Sequence, residues 1–478
     1  MLRAIILLHR WLGISFCLLF AMWFSTGMVM HFVPFPGLTE AERTDGLTPI
    51  DPSRPLPGPA AAVAASGIKD ARRVRLLQRS DGPVYIVTGS SGVSAVRADD
   101  LTSAAVKSGA LALSIAEAVA HRRGLNASQA AVAAVADYDQ WTVPNGFDRH
   151  RPLYRIALND IEGTEFYVSS VTGEVVLDTT AHERAWNYVG SVTHWIYPTI
   201  LRSQWAVWDK TVWTLSLVAL IAAVSGSVLG IVRMNLANLS PYAGWHGWHH
   251  VLGLACMIFV LTWIFSGWLS MDHGRLFSRG QLTEAEALTV AGAPAWQALP
   301  AGQAWPVARE ALEVEWFVFD RQFFRRERTG LNTQLLRSLD SSAADASSAR
   351  REFLEPREIS ALVEHLAPAC SAPAIVDADD NHAIMAPMPN APVYRSVCGS
   401  AWFHIDGASG EVLERLDPSR RAYRWFYSAL HRLDLPFLLA RPIVRSALIV
   451  TMCSFGFVFS LTGVVIGWRR LRRHFRRN

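Results

Sequence analysis

Lysine is nearly missing from this chain: Lys69, Lys107 and Lys210 are the only lysines among 45 cationic residues. No basic stripe is interleaved with aromatics, which argues against a nucleic-acid partner. Cysteine is scarce too, with five in 478 residues, too few for a disulfide scaffold at this length. No C-x-x-C-H occurs, so covalently attached c-type haem is excluded. H-E-x-x-H, a P-loop and a G-x-G-x-x-G following a strand are all absent. The chain therefore carries no zincin, nucleotide-phosphate or dinucleotide site of its own. Charge is sparse at 18%, while 10% aromatic content rules out disorder.

What is present is apolar sequence, at 51% of residues and a mean hydropathy of +0.18. That balance suggests a hybrid of a few membrane helices and large water-soluble parts. Four windows reach the roughly 20 apolar residues needed to span a bilayer: Trp11–Met30, Trp208–Val232, Val251–Met271 and Ile443–Trp468. Trp11, Trp205, Trp208, Trp245, Trp248, Trp268 and Trp468 sit near their ends, as an interfacial aromatic belt requires. The tail carries Arg469, Arg470, Arg472, Arg473, Arg476 and Arg477, which places the C-terminus in the cytoplasm. Four crossings bring the N-terminus, with Arg3 and Arg10, to the same side. The expected layout is helix 1–31, outer domain 32–207, helix 208–233, cytoplasmic loop 234–245, helix 246–271, outer domain 272–442, helix 443–468 and basic tail 469–478. No A-x-A site follows the first apolar run, which reads as a retained anchor rather than a signal peptide. Cys17, Cys256 and Cys453 fall in helices as apolar fillers, while Cys370 and Cys398 lie outside and could form one disulfide.

The chain is internally duplicated. His9-Arg10-Trp11-Leu12-Gly13 is echoed by His249-His250-Val251-Leu252-Gly253, and Ser25-Thr26-Gly27 by Phe265-Ser266-Gly267, all at an offset of 240. Thr172-Gly173-Glu174-Val175 corresponds to Ser409-Gly410-Glu411-Val412 at an offset of 237. At that same offset Arg184 pairs with Arg421, His194 with His431, Gly226 with Gly463 and Gly230 with Gly467. Two copies of helix–outer domain–helix follow, with matching landmarks at equal membrane depth. The outer segments read as α+β. Alternating strands at Pro83–Val87 and Tyr154–Leu158 surround a helical stretch near Ser114–Arg123. Glu165–Leu177 and Trp402–Leu413 read as hairpins, with glycine supplying the positive φ at each turn. Ser338–Ala349 reads as a linker.

The histidines gather at the predicted membrane ends. His9, His246, His249 and His250 lie at the cytoplasmic level, His31 and His273 at the outer level, and His194 and His431 just before the second and fourth helices. Ionisable groups at membrane depth usually mark pathways or ligands. Two symmetric pairs of neutral imidazoles on facing helices suit bis-histidine b-type haem. Gly13 and Gly27 fall within about 40° of the His9 stripe, and Gly253 and Gly267 do the same for His249. They would let a porphyrin approach the backbone. Small-residue helix packing explains the glycines but not the histidines. We therefore expect His9 with His249 at an inner haem and His194 with His431 at an outer one. A His31–Met271 pair remains an alternative, since His31 lies about 33 Å along the helix from His9 and Met271 is its repeat equivalent. His273, His246 and His250 are further possible ligands or polar neighbours.

In combination, L-H-R-W-L-G at 8–13, W-H-H-V-L-G at 248–253, the S-T-G and S-G steps, the paired T-G-E-V and S-G-E-V turns and the histidine before each even helix resemble PepSY-associated transmembrane proteins. The resemblance covers essentially the whole chain. It implies a bacterial inner-membrane protein with four helices, two periplasmic PepSY domains and haem at His9, His194, His249 and His431. It also implies reduction of iron in ferric siderophores. The leading expectation is a dihaem b-type oxidoreductase that takes electrons from a quinol, a reduced flavin or a partner reductase. Iron enters only through the haems and the substrate. The alternative is a non-enzymatic PepSY sensor that regulates peptidases. A transport role is disfavoured, because no helix centre holds a charge or a proline break.

Overall fold

The computed structural model describes residues 2–51, 56–234, 240–292, 295–299, 306–339, 351–367, 369–383 and 390–476. Four helices are long and apolar enough to cross a membrane: Leu2–Phe32, Trp205–Val232, Gly244–Leu269 and Pro442–Phe475. The shortest has 26 residues, about 39 Å at 1.5 Å per residue, which exceeds the ~30 Å hydrocarbon core. The first long helix packs on the second and fourth, and the third packs on the same two. The first and third therefore stand diagonally across the bundle. Glycine permits the closest crossing, where a Cβ on Gly456 would meet the Phe24 ring at 2.6 Å. The fourth helix continues past Trp468 to Phe475, because its arginines are good helix formers that need no apolar surroundings. Arg469 returns over the Trp245 ring, its guanidinium carbon 5.6 Å from the ring centre. Arg477 and most of the Ser338–Ala349 segment lie outside the described residues.

The segment between the first two long helices forms β1 (Ala71–Arg79), β2 (Gly82–Gly89), β3 (Val93–Arg97), β4 (Ala131–Ala136), β5 (Leu153–Ala157), β6 (Glu165–Ser169) and β7 (Val175–Thr179). The later segment repeats the series as β8 (Glu313–Phe319), β9 (Gln322–Arg328), β10 (Gln334–Ser338), β11 (Ala374–Ile375), β12 (Val393–Cys398), β13 (Ala401–Asp406) and β14 (Val412–Leu416). Strands β4–β7 and β11–β14 make two separate four-stranded sheets. Each is covered by one helix, Gly109–Arg122 or Pro356–Leu366. Ile115, Ala116 and Ala120 of the first helix pack on Ile156, Phe166 and Val168. Ile359, Leu362 and Val363 of the other pack on Phe403 and Ile405. Gly173 and Gly410 turn the last hairpin of each sheet at φ +72° and +70°. Cys370 and Cys398 are joined by a disulfide, and Cys17, Cys256 and Cys453 are free in the long helices.

The two outer segments are not independent bodies. Strands β1–β3 and β8–β10 merge into one six-stranded sheet of order β10-β9-β8-β1-β2-β3. A three-stranded meander leaves two edges of unpaired backbone groups, and pairing β1 with β8 closes one of them in each half. In this antiparallel register Arg75 faces Glu315. Those two positions are 240 apart, the offset of the repeat, so the pseudo-twofold axis passes between them.

Charged side chains tie this shared sheet to its neighbours. Glu313 is reached by Arg43 at 2.8 Å, Arg75 at 3.1 Å and Arg328 at 3.3 Å. Arg75 also holds Glu174, the turn glutamate of the first small sheet, at 2.8 Å. Glu315 is fully buried between Arg73 at 2.8 Å and Arg326 at 2.5 Å. Burial by itself would raise the Glu315 carboxyl. The charges of Arg326 and Arg73 outweigh it and hold the group below its ordinary 4.5. A depressed carboxylate stabilises the fold fully above its unfolded value, and that contribution is lost as pH falls from about 4.5 through the folded value. Glu315→Gln strands Arg326 and leaves Arg73 only its longer contact to Glu411, so it should cost about 3–5 kcal/mol. Thermal unfolding of the full chain in detergent, at pH 7 and pH 4, checks this, and the variant should show the smaller pH dependence.

Candidate functional site

Two pairs of histidines lie against the long helices. At the level nearer the chain termini, His9 of the first helix and His249 of the third place their ring centres 6.4 Å apart, with planes at 36°. His9 Nδ1 lies 3.2 Å from the Ala222 carbonyl and 3.4 Å from Ser225 Oγ on the second helix. His249 Nδ1 lies 2.8 Å from Thr462 Oγ1 on the fourth. Each ring rests on the glycine that follows the hydroxyl residue. A Cβ on Gly226 would meet His9 Cε1 at 2.6 Å, and one on Gly463 would meet His249 Cε1 at 3.6 Å. The His249 ring stacks on Phe459 at 4.8 Å.

The other pair is built in the same way from the opposite partners. His194 and His431 each follow a π-helical turn, Tyr188–Val192 or Arg424–Ala429, a local irregularity common at functional sites. His194 Nδ1 lies 2.9 Å from Thr26 Oγ1, and His431 Nδ1 lies 3.2 Å from Ser266 Oγ. The rings lie over Gly27 and Gly267, where added Cβ atoms would sit 3.4 and 3.3 Å from Cε1. The Trp23 indole N–H donates to the His194 carbonyl at 3.0 Å, and Tyr427 stacks on His431 at 5.6 Å. Burial pushes His194 down to about 3, and a proton on His431 would push it further. Burial likewise lowers His431 to about 4. Both imidazoles are neutral at ordinary pH. From His9 to Thr26 the first helix advances about 25 Å, which separates the two levels across the bilayer.

The hydroxyls decide the tautomers. Thr26 Oγ1 donates to Met22 O at 2.7 Å, Ser225 Oγ to Ala222 O at 2.9 Å, Ser266 Oγ to Trp263 O at 3.1 Å and Thr462 Oγ1 to Phe459 O at 2.6 Å. With its proton committed to its own helix, each oxygen can only accept from the imidazole. The Ala222 carbonyl requires a hydrogen on His9 Nδ1, the other three rings take the same tautomer while each hydroxyl keeps the bond to its own helix, and each Nε2 then keeps a lone pair with no partner among the described residues. An Nδ1–H tied to an outer acceptor, with Nε2 free, is the arrangement of a metal-ligating histidine. Metal–imidazole bonds of about 2.0–2.1 Å, with about 1.1 Å more to each ring centre, imply a separation of about 6.3 Å. The His9–His249 spacing fits an ion held between two such nitrogens.

The remaining expected residues fall elsewhere. Gly13 has open space beside it, while Gly253 packs under Phe459. His31 Nε2 bonds Ser446 Oγ at 2.9 Å on the fourth helix. Met271 is buried with Tyr197, Trp208 and Val212 around the second. The structure does not bring His31 and Met271 together, because they face different helices. His273 Nδ1 bonds Asp209 at 2.6 Å, and Arg275 takes the other oxygen of that carboxylate. His250 Nε2 donates to Gly230 O at 2.9 Å, which satisfies a carbonyl near the end of the second helix. His246 is exposed. Sequence reasoning missed Ser225 and Thr462 and the hydrogen-bonding role of Thr26 and Ser266. A signal was present, since a Ser/Thr-Gly step recurs in all four helices at the repeat offsets.

The fold and the paired histidines define a four-helix membrane protein of two duplicated halves. A profile of the PepSY-associated TM region matches residues 6–354, and the chain belongs to that family. No curated protein matches it.

Close packing under His9 makes a contrast testable. Gly226→Ala forces the His9 ring to shift and should destabilise the bundle by about 1–3 kcal/mol. Gly13→Ala, whose methyl meets nothing, should raise the melting temperature in detergent slightly, by the ~0.5–1 kcal/mol of helix propensity it gains.

Proposed function

We propose that the chain is a dihaem b-type oxidoreductase of the bacterial inner membrane. In this reading it passes electrons outward to a ferric complex, a ferric siderophore, on the periplasmic side. The observation that carries the reading is the set of four half-buried imidazoles, each with Nδ1 anchored and Nε2 free, arranged as two pairs at two depths. His9 and His249 would hold the inner haem, and His194 and His431 the outer one. Haem b bound there supplies one-electron redox chemistry, and reducing Fe³⁺ to Fe²⁺ weakens its hold on hard oxygen ligands.

The protein's own contribution is positional. Ser225 with Ala222, Thr462, Thr26 and Ser266 fix each ring's tautomer and direction, as outer-sphere acceptors do for metal-bound histidine. Gly226, Gly463, Gly27 and Gly267 let the rings lie against the neighbouring backbone. The apolar cluster of Phe24, Cys256, Val260 and Ile264 fills the bundle between the levels and keeps water out. The cationic tail from Arg469 to Arg476 supports a cytoplasmic location for both termini; in this reading the outer pair and the sheets lie on the periplasmic side. The chain shows no dinucleotide motif, so the donor is a separate quinol, reduced flavin or partner reductase.

The reduced-minus-oxidised spectrum of the purified protein tests this. Dithionite should produce b-type bands at two haems per chain. His9→Ala or His249→Ala should remove one haem equivalent, and His194→Ala or His431→Ala the other. A protein without such bands would instead fit the peptidase-regulating sensor.

A further inference from the structure

Beside the outer pair, the second half holds a cavity of 20 Å³ lined by His382, Glu414, Arg420, Tyr423, Arg424 and Ser428, among others. Arg424 is only 7% exposed. Its Nη2 donates to the Asp434 carbonyl at 2.6 Å, with the Asp434 carboxylate 3.4 Å away. Its Nε and Nη1, and Nδ1 of His382, are buried with no hydrogen-bond partner among the described residues. Unmet donors of this kind are costly, most of all on a charged group. Glu414 does not meet them, because Arg420 holds it at 2.9 Å.

The first half has no counterpart. At the repeat offset of 237, Arg424 and Ser428 correspond to Asn187 and Ser191. These satisfy each other, with Ser191 Oγ donating to Asn187 Oδ1 at 2.6 Å and Asn187 Nδ2 to Pro34 O at 2.9 Å. The arginine is thus an asymmetric addition to a duplicated turn. That turn also carries Tyr427, stacked on His431.

We propose that this cavity is a carboxylate-binding site, with Arg424 and His382 as its donors. A guanidinium presents parallel N–H groups that match the two oxygens of a carboxylate. The volume is little more than one water needs, so the cavity admits at most the head of a carboxylate whose body stays outside. Two sources share that chemistry. One is a propionate of a haem at His194 and His431, which rests on the function proposed above. The other is a free polycarboxylate, which does not.

Full-length protein expressed without haem and held in detergent micelles separates them. It is titrated with haem b, with haem b dimethyl ester and with citrate, following absorbance and tryptophan fluorescence. If the propionate is the ligand, wild type should bind haem b roughly 10–100-fold more tightly than the ester at one site. Arg424→Gln should abolish that difference, and His382→Phe, which keeps a ring beside Trp402, should reduce it. If a free carboxylate is the ligand, citrate should bind wild type and lose roughly 10–100-fold in Arg424→Gln, whether or not haem binds. Equal affinity for both haem forms together with no citrate binding overturns the proposal. Failure of haem to bind at all sinks the dihaem reading, and the citrate titration alone then decides the cavity.

Discussion

An imidazole inside an apolar helical bundle must find its hydrogen bonds within the protein, and the arrangement of this membrane domain follows from that need. Each long helix offers one hydroxyl beside one glycine. The hydroxyl hands its proton to its own helix and accepts from the ring; the glycine removes the Cβ that would hold the ring off. The outcome is the same four times over. One ring nitrogen is secured and the other is left with a lone pair between helices. Any lateral slip of a helix would break the hydroxyl contact and bury an orphaned donor, so helix packing and ring orientation are the same constraint.

The shared six-stranded sheet carries the duplication into the outer region. Because Arg75 and Glu315 are repeat mates that pair with each other, the two halves meet about a single axis. Glu313 and Glu315 would be costly to bury alone. Surrounded by Arg43, Arg75 and Arg328, and by Arg73 and Arg326, they become the link between the shared sheet and the turn glutamate Glu174. Membrane helices and outer sheets thus obey one symmetry, which keeps the members of each histidine pair at one depth.

The departures from symmetry are chemically uneven. His31 meets Ser446 in one half, whereas the equivalent region of the other holds Asp209 with His273 and Arg275. Asn187 in one π-helical turn becomes Arg424 in the other. Such exchanges put ion-paired groups at the outer level, Asp209 with Arg275 and Arg424 with Asp434, while the histidine positions themselves stay paired.

Much of this was legible in the sequence. Apolar run length marks the four spanning helices, and equal offsets of 240 and 237 reveal the duplication and the histidine pairs, since both are properties of residue order. Gly173 and Gly410 announce their turns because a positive φ favours glycine. What residue order could not contain was partnership across the fold. Gly27 and Gly267 share a helical stripe with His9 and His249, yet they lie beneath His194 and His431, because helix periodicity reports which face a residue is on and not which neighbour covers it. The merging of two outer segments into one sheet is likewise invisible locally, as any unpaired strand edge offers the same backbone groups. Residue order sets the helices, the repeat and which histidines correspond; folding sets which hydroxyl holds each ring and which nitrogen is left free, because these hydrogen bonds join residues more than 160 positions apart.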